Sequence, residues 1–136
     1  MFDGPPILTG YDPHQYQLDV HNSLKRFNVL VCHRRWGKTV LACNTLINAA
    51  LTIDDGTFAY VAPYLKQARQ VSWDIIHSHC MKIPGVHDNR SEGSFAFPNG
   101  SKIVLYGSDN DQAMRGLGFT GVVADEVADF RPETWP

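Results

Sequence analysis

An apolar run, NVLVC at 28–32, breaks into the basic stretch HRRW and then into Gly37-Lys38-Thr39. From there GKTVLACNTLINAALT (37–52) carries apolar residues at helical spacing until Asp54-Asp55-Gly56 stops it. A strand that feeds a loop and then opens a helix leaves few architectures available. The strand is expected to be buried, since a short β-rich apolar run offers no polar face to water. The helix start brings unpaired N–H groups and the positive end of a dipole to the loop, a setting suited to phosphate. The phosphate-loop pattern G-x-x-x-x-G-K-[ST] would place its first glycine at position 32, which is Cys32. Loss of that glycine costs roughly 1–2 kcal/mol if the backbone must stay left-handed. Several charge-assisted bonds to a triphosphate could offset the strain, or the loop could take a path that a small Cβ follows. A catalytic thiol at Cys32 is the competing reading.

The same alternation continues along the chain. Residues 1–12 read as an extended lead-in. PHQYQLDVHNSLKRF (13–27) spaces Tyr16, Val20, Leu24 and Phe27 as a helix. TFAYVAP (57–63) reads as a second buried strand and YLKQARQVSWDIIHSHCMK (64–82) as an amphipathic helix. SFAFPNGSKIVLYG (94–107) alternates around Pro98-Asn99-Gly100, a hairpin signature. FTGVVAD (119–125) is a further strand, and the segment from Glu126 onward shows no clear element. Strands alternating with helices predict an α/β domain with a largely parallel central sheet flanked by helices, plus a β-hairpin insertion. Ligands of such sheets gather at the carboxyl ends of the strands, where 32–39 and Asp125-Glu126 both fall.

Composition sets the limits. The chain has 136 residues, 43% of them hydrophobic and 19% charged, which suits one domain, or part of a larger one, with a packed core. A formal net charge of −2 argues against a protein that coats nucleic acid by bulk charge, though not against a local basic site. No apolar stretch is long enough to span a membrane, and the opening residues do not read as a signal peptide. Three widely separated cysteines, Cys32, Cys43 and Cys80, predict a reducing compartment, the cytoplasm.

Chemistry assigns roles to the two motifs. Lys38 would reach the β- and γ-phosphates of a nucleotide, and the Thr39 hydroxyl would hold Mg²⁺. In GVVADEVADF, Asp125 at the strand end would hold Mg²⁺ through water, and Glu126 would polarise the attacking water. Asp129 reads as a solvated helix residue. HSHC (77–80) offers three soft ligands without a fourth, and reads as surface and core positions.

With both motifs in view, the chain resembles the ATPase domain of the large terminase subunit of tailed bacteriophages, the motor that packages DNA. RRWGKT (34–39) is similar to that family's phosphate loop, in which basic residues crowd the middle and the first glycine is often replaced. MRGLGFTGVVADE (114–126), PHQYQLDVH (13–21), YVAPYLKQA (60–68) and FPNGSKIVLYG (97–107) resemble further family segments in the family's order. The resemblance implies a P-loop NTPase of the additional-strand type, with 1–27 as lead-in and adenine-recognition helix. Residues 28–136 would run from the P-loop through the Walker B strand, in an incomplete ATPase domain with no nuclease domain.

It points to Gln17 for adenine, whose N6/N7 edge a carboxamide can pair with bidentately. Arg34, Arg35, Trp36, Gly37, Lys38 and Thr39 would surround the nucleotide. Arg34 or Arg35 would touch the phosphates of its own subunit, the alternative being a solvated or salt-bridged pair. Arg115 would reach a neighbour's ATP, the alternative being a brace for the loop before the strand. Trp36 would stack on a base or cover the helix below it. The implied cofactors are ATP and Mg²⁺. The implied partners are double-stranded viral DNA, the small terminase subunit and the portal protein, around a homo-oligomeric ring in the host cytoplasm. Two other readings stay open: a helicase-like translocase, and a truncated nucleotide-binding fragment without turnover.

Overall fold

The computed structural model describes residues 11–26, 28–29, 31 and 37–130. A five-stranded sheet of order β2-β3-β4-β1-β5 forms its spine. β1 (Thr57–Ala62) is the hub, parallel to β4 (Lys102–Gly107) on one side and to β5 (Gly121–Ala124) on the other. Its TFAYVA is buried from Phe58 to Ala62, as a strand flanked on both edges requires. The predicted hairpin is present as β3 (Ser94–Ala96) antiparallel to β4. Its turn is anchored from outside, where Asn99 Nδ2 donates to the Ala50 carbonyl at 2.7 Å. β2 (His87–Asn89), which the sequence pattern does not announce, adds a fifth strand against β3. All three of its residues are exposed, so HDN carries no burial pattern that could mark a strand.

α2 (Lys38–Thr52) buries Leu41, Cys43, Leu46, Ile47 and Ala50, the stripe its sequence spacing predicts. The expected helix over 64–82 is a composite. α3 (Leu65–Gln67) passes through a π-helical turn, Ala68–Ser72, into α4 (Trp73–Cys80). Trp73 is the floor of the core here, stacked on Phe95 with ring centroids 4.4 Å apart. Among the described residues no helix is long and apolar enough to cross a membrane.

One expectation is corrected. NVLVC was predicted as a buried strand, yet the described residues Asn28, Val29 and Val31 belong to no strand, and Val29 and Val31 are 93% and 92% exposed. Among the described residues the sheet ends at β5. It pairs with β1 on one edge only, its other edge has no partner among the described residues, and Val122 there is 54% exposed. A strand at 28–32 would have to pair along that open edge, and Asn28, Val29 and Val31 make no such ladder.

α1 (Gln15–Ser23) begins in a reciprocal cap: His14 Nδ1 accepts from the Gln17 N–H, and Gln17 Oε1 accepts from the His14 N–H. The helix is docked by His21, fully buried, whose Nε2 lies 2.9 Å from the Tyr11 hydroxyl and whose Nδ1 lies 3.5 Å from Thr45 Oγ1. Burial pulls His21 down to about 4 and pushes Tyr11 up to about 12, so the pair is neutral near pH 7. The unfolded chain takes up a proton at this histidine near pH 6.5, whereas the folded chain resists it. Stability linked to His21 is therefore fully present above about pH 6.5 and is lost as pH falls towards about 4. Urea unfolding across that window should show a shallower pH dependence for His21→Gln than for the wild type. Identical slopes would remove His21 from the account.

Candidate active site

Gly37 caps α2 in a left-handed conformation, φ 89°, with no side chain bonded to the helix N-terminus. The position favours glycine for its backbone, and a side chain there would also displace Gln17. That φ strains any L side chain, and a Cβ there would lie 2.5 Å from Gln17 Nε2. Gln17 is close because its Nε2 donates to the Gly37 carbonyl at 3.0 Å. The carboxamide is thus engaged at both ends, its oxygen at His14 and its nitrogen at Gly37, and pairing with adenine would require it to exchange those bonds. Lys38 follows at the first residue of α2. It lines a cleft of about 500 Å³ together with Arg26, Thr45, Val122 and Asp125.

The parallel pairing of β1 with β5 delivers the acidic pair to the same place. Asp125 extends the ladder by donating its N–H to the Val61 carbonyl at 2.9 Å. Its Oδ2 accepts from Thr39 Oγ1 at 2.9 Å and from the Tyr60 hydroxyl at 2.5 Å. The helix start and the strand end, 86 residues apart, therefore meet through one carboxylate oxygen. Burial, then the nearby Cys43 and Asp125, hold the Tyr60 hydroxyl protonated well above its ordinary range, so it acts as a neutral donor. Burial also pushes the Cys43 thiol up, with Asp125 adding to the effect, which leaves that thiol inert. Glu126 turns sharply out of the strand at φ 54°, ψ 46° and is exposed. Its Oε2 faces Gln67 Nε2 at 3.4 Å. Thr39, Tyr60, Gln67, Asp125 and Glu126 enclose a small cavity of about 60 Å³ beside the larger cleft.

Tyr60 and Gln67 are the two members that sequence reasoning missed. Tyr60 sits in an unbroken apolar strand and reads as core, and only its register against Val123 reveals that its hydroxyl reaches the acid. Among the predicted residues, Gly37, Lys38, Thr39, Asp125 and Glu126 come together. Arg115 sits exposed after the 3₁₀ segment Ser108–Met114 and lines neither cavity. Cys32, Arg34, Arg35 and Trp36 lie outside the described residues. Asp129 ends a short 3₁₀ turn, Val127–Asp129, and is exposed. In HSHC, His77 stacks on Trp73 and lies 3.6 Å from Asp88, His79 Nδ1 lies 2.8 Å from the Ile75 carbonyl, and Cys80 is buried. Among the described residues the Thr39 hydroxyl and the Asp125 carboxylate meet, with the Glu126 carboxylate around the same cavity, and such hard oxygens fit a largely hydrated Mg²⁺ rather than a soft metal.

No family model matches the chain. Tripartite terminase subunit 3 of equine herpesvirus 1, in strains Ab4p and V592, is 30% identical over 115 residues, covering 80% of this chain and 16% of the herpesvirus protein. Among solved structures, the large terminase ATPase domain of Thermus phage P74-26 superimposes with a TM-score of 0.80 at 20% identity. An arginine-to-alanine variant of that domain gives 0.77 at 19%. Each match covers 95% of this chain and 59% of the phage domain. The large terminase of a second thermophilic bacteriophage, solved with ATP-γ-S, gives 0.53 at 20% identity over 74% of this chain and 25% of its own. The chain thus spans about one-sixth of the herpesvirus proteins and somewhat over half of the P74-26 domain.

Proposed function

We propose that this chain, whose fold is that of the phage large-terminase ATPase domain, is the MgATP-binding and hydrolysing core of a motor that packages viral DNA. The meeting of Thr39 and Asp125 is the observation that carries the reading, because it joins the two motifs into one site. Lys38 binds the β- and γ-phosphates, and the exposed N–H groups at the start of α2 share their charge. Thr39 and Asp125 would hold Mg²⁺, Asp125 through water, and the ion would supply positive charge to offset that of the β- and γ-phosphates. Tyr60 fixes the Asp125 carboxylate by its hydroxyl. Glu126 orients and deprotonates the attacking water, with Gln67 as its positioning partner. Arg34 or Arg35 serves the phosphates of the same subunit, Trp36 serves to cover the nucleotide, and Gln17 serves adenine. Arg115, which lines neither cavity, completes the site of a second copy, and turnover then depends on assembly. The partners in this proposal are double-stranded DNA, the small terminase subunit and the portal protein.

The test is a nucleotide titration with and without Mg²⁺. Wild type should bind ATP more tightly with the ion, and Thr39→Val, which keeps the branched shape and loses the hydroxyl, should forfeit most of that gain. Equal ATP affinity in all four conditions would contradict the assignment of Thr39.

A further inference from the structure

A second site lies on the helical run that carries Gln67. Lys66, Arg69, Gln70 and Trp73 line an open cleft of about 450 Å³, closed on its far side by Arg90 from the turn after β2. Three cationic side chains thus face one concavity in a chain whose formal net charge is −2. Acids do not neutralise them. Among the described residues no carboxylate lies within ion-pair distance of Lys66, Arg69 or Arg90. The nearby Glu92 carboxylate is taken by Lys102 at 3.3 Å, and Asp88 by His77 at 3.6 Å. The two arginines are nonetheless held in place. Arg69 Nη2 donates to the Glu92 carbonyl at 3.4 Å, and the Arg90 guanidinium sits 5.6 Å from the centre of the Trp73 ring. Guanidinium groups fixed by a carbonyl and a ring, rather than neutralised by acids, keep their charge and donors for an external anion.

The chemistry of that anion follows from the walls. Trp73 is only 1% exposed, so the cleft offers no aromatic face on which a base could stack. Spread, open cationic heads suit successive phosphates better than one small anion, which would favour an enclosed pocket. We propose that the Lys66–Arg69–Arg90 cleft is a contact site for the phosphodiester backbone of duplex DNA. The proposal deepens the packaging reading, on which it rests for the identity of the polymer. It also places the contact one residue from Gln67, the partner of the Glu126 carboxylate, so DNA and the hydrolytic site share one helical turn.

The test is fluorescence anisotropy of a labelled duplex over a series of salt concentrations, with a single strand of the same length in parallel. For Lys66→Gln/Arg69→Gln, the slope of log affinity against log salt should flatten by about 2, near 0.9 for each phosphate no longer neutralised. Duplex affinity at low salt should fall roughly 10-fold or more. Lys82→Gln, a charge change outside the cleft, should leave the slope unchanged, and Arg69→Lys should keep most of it. MgATP binding is followed in each protein and should persist in the double variant, which shows that the fold survives. An unchanged slope in the double variant overturns the proposal, as does a loss confined to the single strand. Wild type that binds MgATP but no duplex overturns it while leaving the nucleotide reading intact. Duplex binding that depends on Lys66 and Arg69 without any MgATP binding would keep the cleft and sink the nucleotide reading.

Discussion

Glu126→Gln is expected to bind MgATP as the wild type does and to release phosphate at least about 100-fold more slowly, the usual span for loss of a general base being roughly 10²–10⁴. Binding survives because the phosphate contacts come from the loop and from Lys38, not from Glu126. Geometry survives because a carboxamide has the shape of the carboxylate and its oxygen still accepts from Gln67. What disappears is the basicity needed to draw a proton from water. The left-handed backbone at Glu126, φ 54°, leaves it beside the cavity that Thr39 and Asp125 also line, and glutamine keeps that backbone. Phosphate release is compared at a protein concentration where wild type turns over. Undiminished release by Glu126→Gln would remove Glu126 from catalysis.

Lys38→Ala should weaken nucleotide binding by roughly 30- to 150-fold, the equivalent of about 2–3 kcal/mol for one charge-assisted contact to phosphate. Alanine is a good helix former and α2 is anchored by Leu41, Leu46 and Ile47, so the helix itself should persist. The loss would therefore report the ammonium group. Titration with a fluorescent nucleotide measures it, with thermal unfolding as the control for folding. Affinity within about threefold of wild type would show that the phosphates lie elsewhere.

Periodicity carried the reading where one element decides its own structure. The stripe of α2 and the Pro98-Asn99-Gly100 turn follow from local chemistry, and both are found where the pattern places them. Asp125 and Glu126 were legible for the same reason, since an apolar strand that ends in acids must leave them at its carboxyl end. Reading failed where a second element decides. Val29 and Val31 are as apolar as any residue of β1, yet without a pairing partner among the described residues they stand in solvent. The π-helical turn at Ala68–Ser72 left no mark in ARQVS, whose spacing suits an ordinary helix. Tyr60 and Gln67 were hidden for a related reason. Each acquires its role from a residue more than fifty positions away, through the register of β1 on β5 and the return of the chain to Glu126. Gln17 lies between these cases. A helix was legible there, but it stops at Ser23 and buries Gln17 and His21 while Tyr16 of the expected stripe is exposed, and the bond to the Gly37 carbonyl was not legible.

The measurement that bears most directly on the central claim is calorimetric titration of the wild-type chain with MgATP. The account predicts saturable binding of one nucleotide per chain, because Lys38, Thr39 and Asp125 already converge within these residues. No saturable binding up to millimolar nucleotide, by protein that unfolds cooperatively, would contradict it.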